Sequence, residues 1–528
     1  MSLTKTEDIQ DLARFGYRQE LDRSLGSFSS FAAGFSYISI LTGVFQMFYL
    51  GHAAAGPAFF WTWPVVFLGQ FTVALGFAEL AAHYPLSGGV YQWSRRIGSP
   101  TLGWMTGWVY LASSLVSLAA VALALQATLP QISPVFQVIG DGTSPADRAR
   151  NAVLLGCVLI GLTTAINARG VRLMARINNV GVFTELVGVV LLIVLLLVRA
   201  RRGPGIVFSL HGGGSASGLG WLAPLLAAAV MPSYVMYGFD TAGTLAEETK
   251  DPRRRAPWAI LRALGAAGLA GGLLIIAALM AAADPAGPEL GRLNGGLPAI
   301  VKASLGRELG GIFLVTVIFA ISVCALAVHA GTVRLIFSMA RDNSLPFARG
   351  LARITAETST PIVPAVLTGA AAALILLLNV NLPRIIETLC SVAIVWANLA
   401  YLMVSLPLLL TRLRGSPGNV STDMPPADRS REGRRFALGS WGLGVNLVAV
   451  CWGVFVIVNM SWPRAEIYGT DPWGKYAAVL ATSVLLGLGW LCRLALRRND
   501  GGILAEHAAG PEAAETAAVI PAWPVLVE

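Results

Sequence analysis

Residues 24–78 form an unbroken run of fifty-five positions without a single Asp, Glu, Lys or Arg. A buried helix of a soluble core uses roughly 10–14 apolar positions, whereas a membrane crossing takes about 20. The run is therefore too long for one soluble element and long enough for two crossings. The rest of the chain repeats the pattern. Of 528 residues, 55% are hydrophobic and 13% charged, where soluble chains carry about 25% charged residues. This excludes the three or four soluble domains that length alone would allow. The chain reads as an all-α membrane protein that crosses the bilayer many times.

The net charge of +9 invites a nucleic-acid partner, but the Lys and Arg residues are scattered through short loops between apolar runs. That is the pattern of cytoplasmic loops, and no nucleic acid is expected. Cys157, Cys324, Cys390, Cys451 and Cys492 sit mostly within apolar segments, without metal-type or disulfide-type spacing. No metal site and no cofactor is expected. The first 23 residues are polar and mixed in charge, unlike a cleaved signal peptide, so the first apolar run is expected to be a retained span.

Apolar runs bounded by charge, Pro and Gly predict twelve transmembrane helices, near 28–50, 58–82, 101–129, 151–168, 178–198, 219–246, 257–282, 308–340, 362–380, 385–410, 438–460 and 474–496. An even number places both termini on one side. With that side cytoplasmic, 25 Lys and Arg fall inside and 11 outside, the bias that the positive-inside rule expects for a multi-pass protein of the cytoplasmic membrane. Arg199, Arg201 and Arg202 run against it, falling outside directly after the fifth span, where they would snorkel, bind headgroups or signal a miscounted span. The expected parts are a cytoplasmic segment 1–27, a first five-helix unit 28–198, a second 219–410, a basic cytoplasmic loop 411–437, helices 438–496 and a flexible cytoplasmic tail 497–528 rich in Ala, Pro and Glu.

The interruptions of the spans carry the functional signal. The first span contains Gly34-Phe35-Ser36-Tyr37-Ile38-Ser39-Ile40-Leu41-Thr42-Gly43, and the sixth Tyr234-Val235-Met236-Tyr237-Gly238-Phe239-Asp240-Thr241-Ala242-Gly243. They lie five helices apart, and an odd number of helices per half forces opposite topology on the two halves. That is the pattern of two inverted five-helix repeats (helices 1–5 and 6–10) with broken helices 1 and 6 and two peripheral helices. Backbone groups freed at a break cannot face lipid, where each unsatisfied group costs several kcal/mol, and so turn to a cavity and its ligand. A half-helix starting near Thr42-Gly43 would present its amides to an anionic group, and carbonyls before Gly238 would suit an ammonium. The alternative is that these glycines only let helices pack closely.

Asp240 lies within a span, where a carboxylate costs roughly 2.5–3.5 kcal/mol. It would pair with a cationic substrate group, carry a coupling proton, or serve as a structural partner of Arg262 or Arg334. Glu185 in the fifth span raises the same question: a coupling or site-lining carboxylate, or a helix-to-helix hydrogen bond. Tyr234 and Tyr237 would stack over a cation or simply pack. His329 and Glu79 read as structural.

The residues also carry a resemblance. Phe15-Gly16-Tyr17-Arg18-Gln19-Glu20-Leu21, Ser39 through Phe45, Ala78-Glu79-Leu80 with Tyr84 through Tyr91, Tyr237-Gly238-Phe239-Asp240 through Pro252, and Ser338 through Pro346 occur in one order. Together they resemble the amino acid–polyamine–organocation superfamily of permeases, and within it the amino acid/choline branch. The resemblance implies a substrate bearing an amino or quaternary amine group, held between the breaks of the first and sixth helices. It implies contacts from Ser39, Thr42, Gly43, Tyr234, Tyr237 and Gly238, with Asp240 beside them. Branch members commonly carry a His four residues after the sixth-helix Asp, and here Thr244 stands there, so substrate identity does not follow.

The expected function is secondary active transport of a small amino acid or amine by alternating access, driven by protons or by exchange. An organocation carrier of choline or guanidinium type and a non-transporting amine sensor are the alternatives, with a channel of the same fold behind them. No Gly-x-x-x-x-Gly-Lys-Ser/Thr loop is present to bind ATP. His52, His83, His211, His329 and His507 build no catalytic set, so no enzyme is expected.

Overall fold

The computed structural model describes residues 12–209, 220–293, 295–355, 360–378, 380–381, 384–414, 436–469, 471 and 473–497. Most of the basic loop 411–437 and nearly all of the tail 497–528 lie outside the described residues, as do the first eleven. Within them the chain is helical, its only β features being two isolated bridges, Leu25 to Thr249 and Thr355 to Thr360.

The first apolar run divides into α1 (Ser27–Ile38), α2 (Ile40–Ala55) and α3 (Thr62–His83). A short amphipathic helix, α4 (Val90–Ile97), precedes α5 (Pro100–Ile132), α6 (Pro145–Ala168) and α7 (Val171–Val198). The next apolar run is fragmented into α8 (Leu222–Ala228), α9 (Val230–Val235) and α10 (Thr241–Thr244). Then follow α11 (Pro252–Ala281), α12 (Gly296–Arg341), α13 (Ala348–Leu351), α14 (Ile362–Leu378), α15 (Ile385–Leu413), α16 (Gly442–Ser461), α17 (Ala465–Tyr468) and α18 (Ala477–Arg497). Among the described residues nine stretches are long and apolar enough to cross a membrane, the first of them, Ser27–His83, holding α1 to α3. Leu222–Val235 and Ile362–Leu378 are shorter apolar helices.

Several helices outrun their apolar segments, because helix ends are set by caps and breakers rather than by charge. In α6, Ser144 accepts from the Asp147 amide and Pro145 opens the first turn. That brings Asp147, Arg148 and Arg150 into a helix expected to begin at 151. In α7, Gly170 at φ 116 breaks the chain before Val171, so Arg172 and Arg176 join the helix. In α12, residues 296–341 continue past the expected start at 308, with a kink at Gly306 (φ 81, ψ 177). The Arg199–Arg202 cluster has a local explanation. The Arg201 and Arg202 amides donate to the Met280 carbonyl, and the Arg202 guanidinium donates to the Ala282 and Ala283 carbonyls at 2.6 and 3.0 Å. The Arg202 cation thus caps the C-terminus of α11, where the helix dipole favours positive charge.

The core is built around α5, α12 and α15, with α1 and α2 enclosed by α7, α11 and α12. α16 rests on α15 and α3, and α18 lies at the edge against α5 and α15. Outward faces carry single apolar side chains such as Leu154, Val158, Val190, Val194, Val458 and Leu491. In water such a surface would aggregate; against lipid tails it needs no cover.

Candidate functional site

The first break falls at Ser39, held at φ 34 and ψ 98 between α1 and α2. A non-glycine residue in such a conformation costs of order 1–3 kcal/mol and persists where its surroundings over-determine it. Here the hydroxyl provides that restraint. Ser39 Oγ donates to Glu185 Oε1 at 2.9 Å and accepts from the Thr42 amide at 3.3 Å. With its proton on Glu185, Ser39 accepts the Thr42 hydroxyl at 2.6 Å. The Leu41 amide donates to the same Glu185 oxygen at 3.0 Å. The amides at the start of α2 therefore face a carboxylate of the protein itself, a partner that the spacing of the first span did not reveal. The carbonyl of Tyr37, freed at the end of α1, accepts from the Cys324 thiol of α12 at 3.4 Å.

The second break opens after Val235. Gly238 adopts φ 88, and a Cβ there would stand 1.9 Å from the Tyr37 ring. Conformation and space both demand glycine. Asp240, fully buried, receives the Tyr110 hydroxyl of α5 at 2.7 Å and the Tyr401 hydroxyl of α15 at 2.5 Å, both on Oδ1. Tyr401 in turn accepts the Gly238 amide at 2.8 Å. One tyrosine thus ties the released backbone to the carboxylate. Among the described residues, Asp240 Oδ2 and Glu185 Oε2 are buried with no hydrogen-bond partner. A buried unsatisfied carboxylate oxygen is costly and calls for an explanation. Asp240 pairs with neither cation considered for it: Arg334 bonds Glu248 at 2.9 Å, and Arg262 stacks over Trp258.

The two breaks meet. A Cβ on Gly43 would lie 2.6 Å from Val235 Cγ2, and one on Gly34 would lie 3.2 Å from the Phe239 carbonyl. The Tyr37 and Tyr237 rings pack edge to face at 6.0 Å, and the Tyr237 hydroxyl shares a hydrogen bond of 2.8 Å with Ser117. Tyr234 packs edge to face on Tyr237 at 6.0 Å, and its buried hydroxyl has no hydrogen-bond partner among the described residues. Ser39, Thr42, Gly43, Tyr234, Tyr237, Gly238 and Asp240 are thus gathered in one buried region, with Glu185 at its α7 wall. Tyr110, Ser117 and Tyr401 were not singled out in the sequence. They stand within long apolar runs with no break beside them, and a polar tip inside a span was their only signal. His329 is fully engaged, at 3.2 Å from Thr163 and 2.9 Å from the Ala365 carbonyl.

On the side of the N-terminal segment the region is sealed by charge. Asp342 accepts from Tyr17 at 2.7 Å, Tyr91 at 2.9 Å, Gln92 at 3.0 Å and Arg95. Arg341 grips Glu247 through both nitrogens, at 2.9 and 2.7 Å, and lies 3.9 Å over the Tyr17 ring. Burial, and then the Asp342 carboxylate, push Tyr17 up to about 12, so its hydroxyl remains a donor. Leu25 completes the seal through backbone bonds to Glu248 and Lys250. Glu79 pairs with Arg412 and accepts the Leu438 amide. On the opposite side a cavity of about 290 Å³ is lined by Tyr49, Gln126, Arg148, Arg384 and Glu387 among others. It begins ten residues along α2 from Ser39, about 15 Å of helix.

Known proteins resemble the chain along most of its length. Residues 25–484 match the family model described as amino acid permease. The chain is 26% identical to the amino-acid permease BAT1 of Arabidopsis thaliana over 477 residues, covering 86% of this chain and 88% of that one. It is 25% identical to the GABA-specific permease of Saccharomyces cerevisiae, over 91% of this chain and 83% of the relative. With the methylthioribose transporter of Bacillus subtilis it shares 28% identity over 70% of this chain and 78% of that protein. A multi-pass helical membrane protein whose family model spans most of its length, this chain belongs to the amino acid permease family of the amino acid–polyamine–organocation superfamily.

Proposed function

We propose that the chain is a secondary active transporter that carries a small amino acid or amine across the cytoplasmic membrane by alternating access. In this reading it has twelve crossings. Residues 28–198 and 219–410 form the inverted repeats, helices 438–496 are peripheral, and both termini are cytoplasmic. The observation that carries the reading is the meeting of two broken helices around two buried carboxylates, each with one oxygen unpartnered. A substrate ammonium would take Asp240 Oδ2, with Tyr234 and Tyr237 against its apolar part and Ser39, Thr42, Gly43 and Gly238 shaping the floor. Asp240 and Glu185 are the coupling candidates, by proton symport or with exchange as the alternative drive. The names of the relatives, an amino-acid permease and a GABA-specific permease, support an amino acid or amine as cargo. A second reading, an organocation of choline or guanidinium type, is favoured by the two carboxylates alone, since among the described residues Asp240 and Glu185 have no ion-pair partner.

The test is flux of radiolabelled γ-aminobutyrate, leucine, arginine and choline into proteoliposomes, with and without a proton gradient. At least one is expected to accumulate or exchange. Asp240→Asn is expected to abolish that flux while the purified protein keeps its thermal transition. Full flux in that variant removes Asp240 from the mechanism, and absence of flux for every probe in the wild type refutes carriage of these solutes.

A further inference from the structure

We propose that Glu185 is an internal stand-in for the substrate carboxylate, and that it must take a proton and leave the start of α2 before an amino acid can bind there. The inference rests on the transport reading above and adds to it a specific linkage between a carboxylate-bearing substrate and one proton.

Every donor that a substrate carboxylate would seek at that helix start is already in use. The Leu41 amide and the Ser39 hydroxyl are on Glu185 Oε1, the Thr42 amide is on Ser39 Oγ, and the Gly43 amide is on the Ser39 carbonyl at 3.0 Å. α2 runs for 16 residues, long enough for its dipole to favour an anion at this end. A second carboxylate cannot share the place with an ionised Glu185, because two anions on one set of donors repel. Glu185 is 1% exposed and its Oε2 has no partner. That oxygen is free to accept a proton without breaking any existing hydrogen bond. A neutral carboxylic acid is a weaker acceptor for the Leu41 amide than a carboxylate, so a substrate carboxylate then wins the position. Asp240, across the break, remains to hold the ammonium.

The neighbours leave Glu185 as the group that makes this exchange. Helices α1, α2, α6, α11 and α12 pack against α7. α12 brings the Cys324 thiol, which donates to the Tyr37 carbonyl at the end of α1. Elsewhere on α12, Arg334 is held by Glu248 and His329 by Thr163 and the Ala365 carbonyl. Arg262 of α11 is exposed and stacks on Trp258. Asp147, Arg148 and Arg150 of α6 lie in its first two turns, and Tyr49 and His52 of α2 in the half remote from Ser39.

The experiment compares each amino acid with its decarboxylated analogue on full-length purified protein: leucine with 3-methylbutylamine, and γ-aminobutyrate with propylamine. Titration calorimetry in two buffers of different ionisation enthalpy counts the protons taken up on binding between pH 5 and 8. At the alkaline end the amino acid is expected to take up as much as about one proton more than its amine and its Kd to weaken by up to about tenfold per pH unit, both effects fading towards the acid end where Glu185 is already protonated. In Glu185→Gln, whose amide oxygen still accepts from Leu41 and Ser39, that difference is expected to vanish. Equal uptake by amine and amino acid in the wild type overturns the inference, and so does a difference that survives in Glu185→Gln. The wild-type comparison decides by itself should the variant not fold. Failure of leucine and γ-aminobutyrate to bind overturns this inference, and the flux assay with arginine and choline then decides the transport reading separately; binding with equal uptake overturns this inference alone.

Discussion

Substituting Gly43 by Ala tests the apposition on which the candidate site depends. The new methyl would lie 2.6 Å from Val235 Cγ2, 3.3 Å from Val235 Cβ and 3.4 Å from Val235 Cγ1, where ordinary contact begins at 3.4 Å. Val235 is 1% exposed and cannot swing into solvent. Overpacking of this kind costs about 1–3 kcal/mol, against a gain of up to about 1 kcal/mol from replacing glycine within a helix. With the full helix gain the net loss is about 0–2 kcal/mol. Val235→Ala alone removes two methyl groups, about 1.6 kcal/mol of burial plus a cavity. In the double variant the methyl added at position 43 enters the space left by the valine, so the pair is expected to be more stable than the sum of the singles by about 1–2 kcal/mol. The assay is a double-mutant cycle read by thermal unfolding in detergent and by substrate affinity. Additivity within about 0.5 kcal/mol would refute the contact, and with it the claim that the two breaks face each other.

Gly238→Ala is expected to be worse and not rescuable: its φ of 88 strains any L-residue by about 1–2 kcal/mol, and its methyl meets the Tyr37 ring at 1.9 Å. Flux should be lost and the thermal transition lowered, whereas Gly161→Ala, inside α6 with nothing within 4 Å among the described residues, should keep flux and raise the thermal transition slightly. Arg334→Met should lower stability by about 3–5 kcal/mol by stranding the buried Glu248. Adding Glu248→Leu should restore most of the thermal transition, and no recovery in the double variant would show that the pair does more than satisfy itself.

The parts of the site legible in the sequence were those that break a local rule. Gly34, Gly43 and Gly238 stood out because glycine is costly within a helix unless conformation or packing demands it, and Asp240 because a carboxylate is costly in a span. Ser39 lay within the same quoted stretch, yet nothing in its surroundings indicated that it, rather than Thr42-Gly43, would begin α2. That choice came from Glu185, 146 residues away, whose oxygen holds the Ser39 hydroxyl and the Leu41 amide. Tyr110 and Tyr401 broke no local rule, since a tyrosine packs readily in a membrane helix. Their role exists only because α5 and α15 both deliver a hydroxyl to Oδ1 of Asp240.

Hydropathy is additive along the chain, so residues 24–78 and their successors determined by themselves that this protein lives in a membrane. Hydrogen bonds and steric contacts are not additive in that way. They depend on which atoms come within a few ångströms, and side chains more than a hundred residues apart gain that proximity only when the helices pack. Membership of the bilayer was therefore a property of the sequence. The pairing of Glu185 with the start of α2, the two tyrosines on Asp240 and the charged seal around Asp342 and Glu247 were decided by the fold.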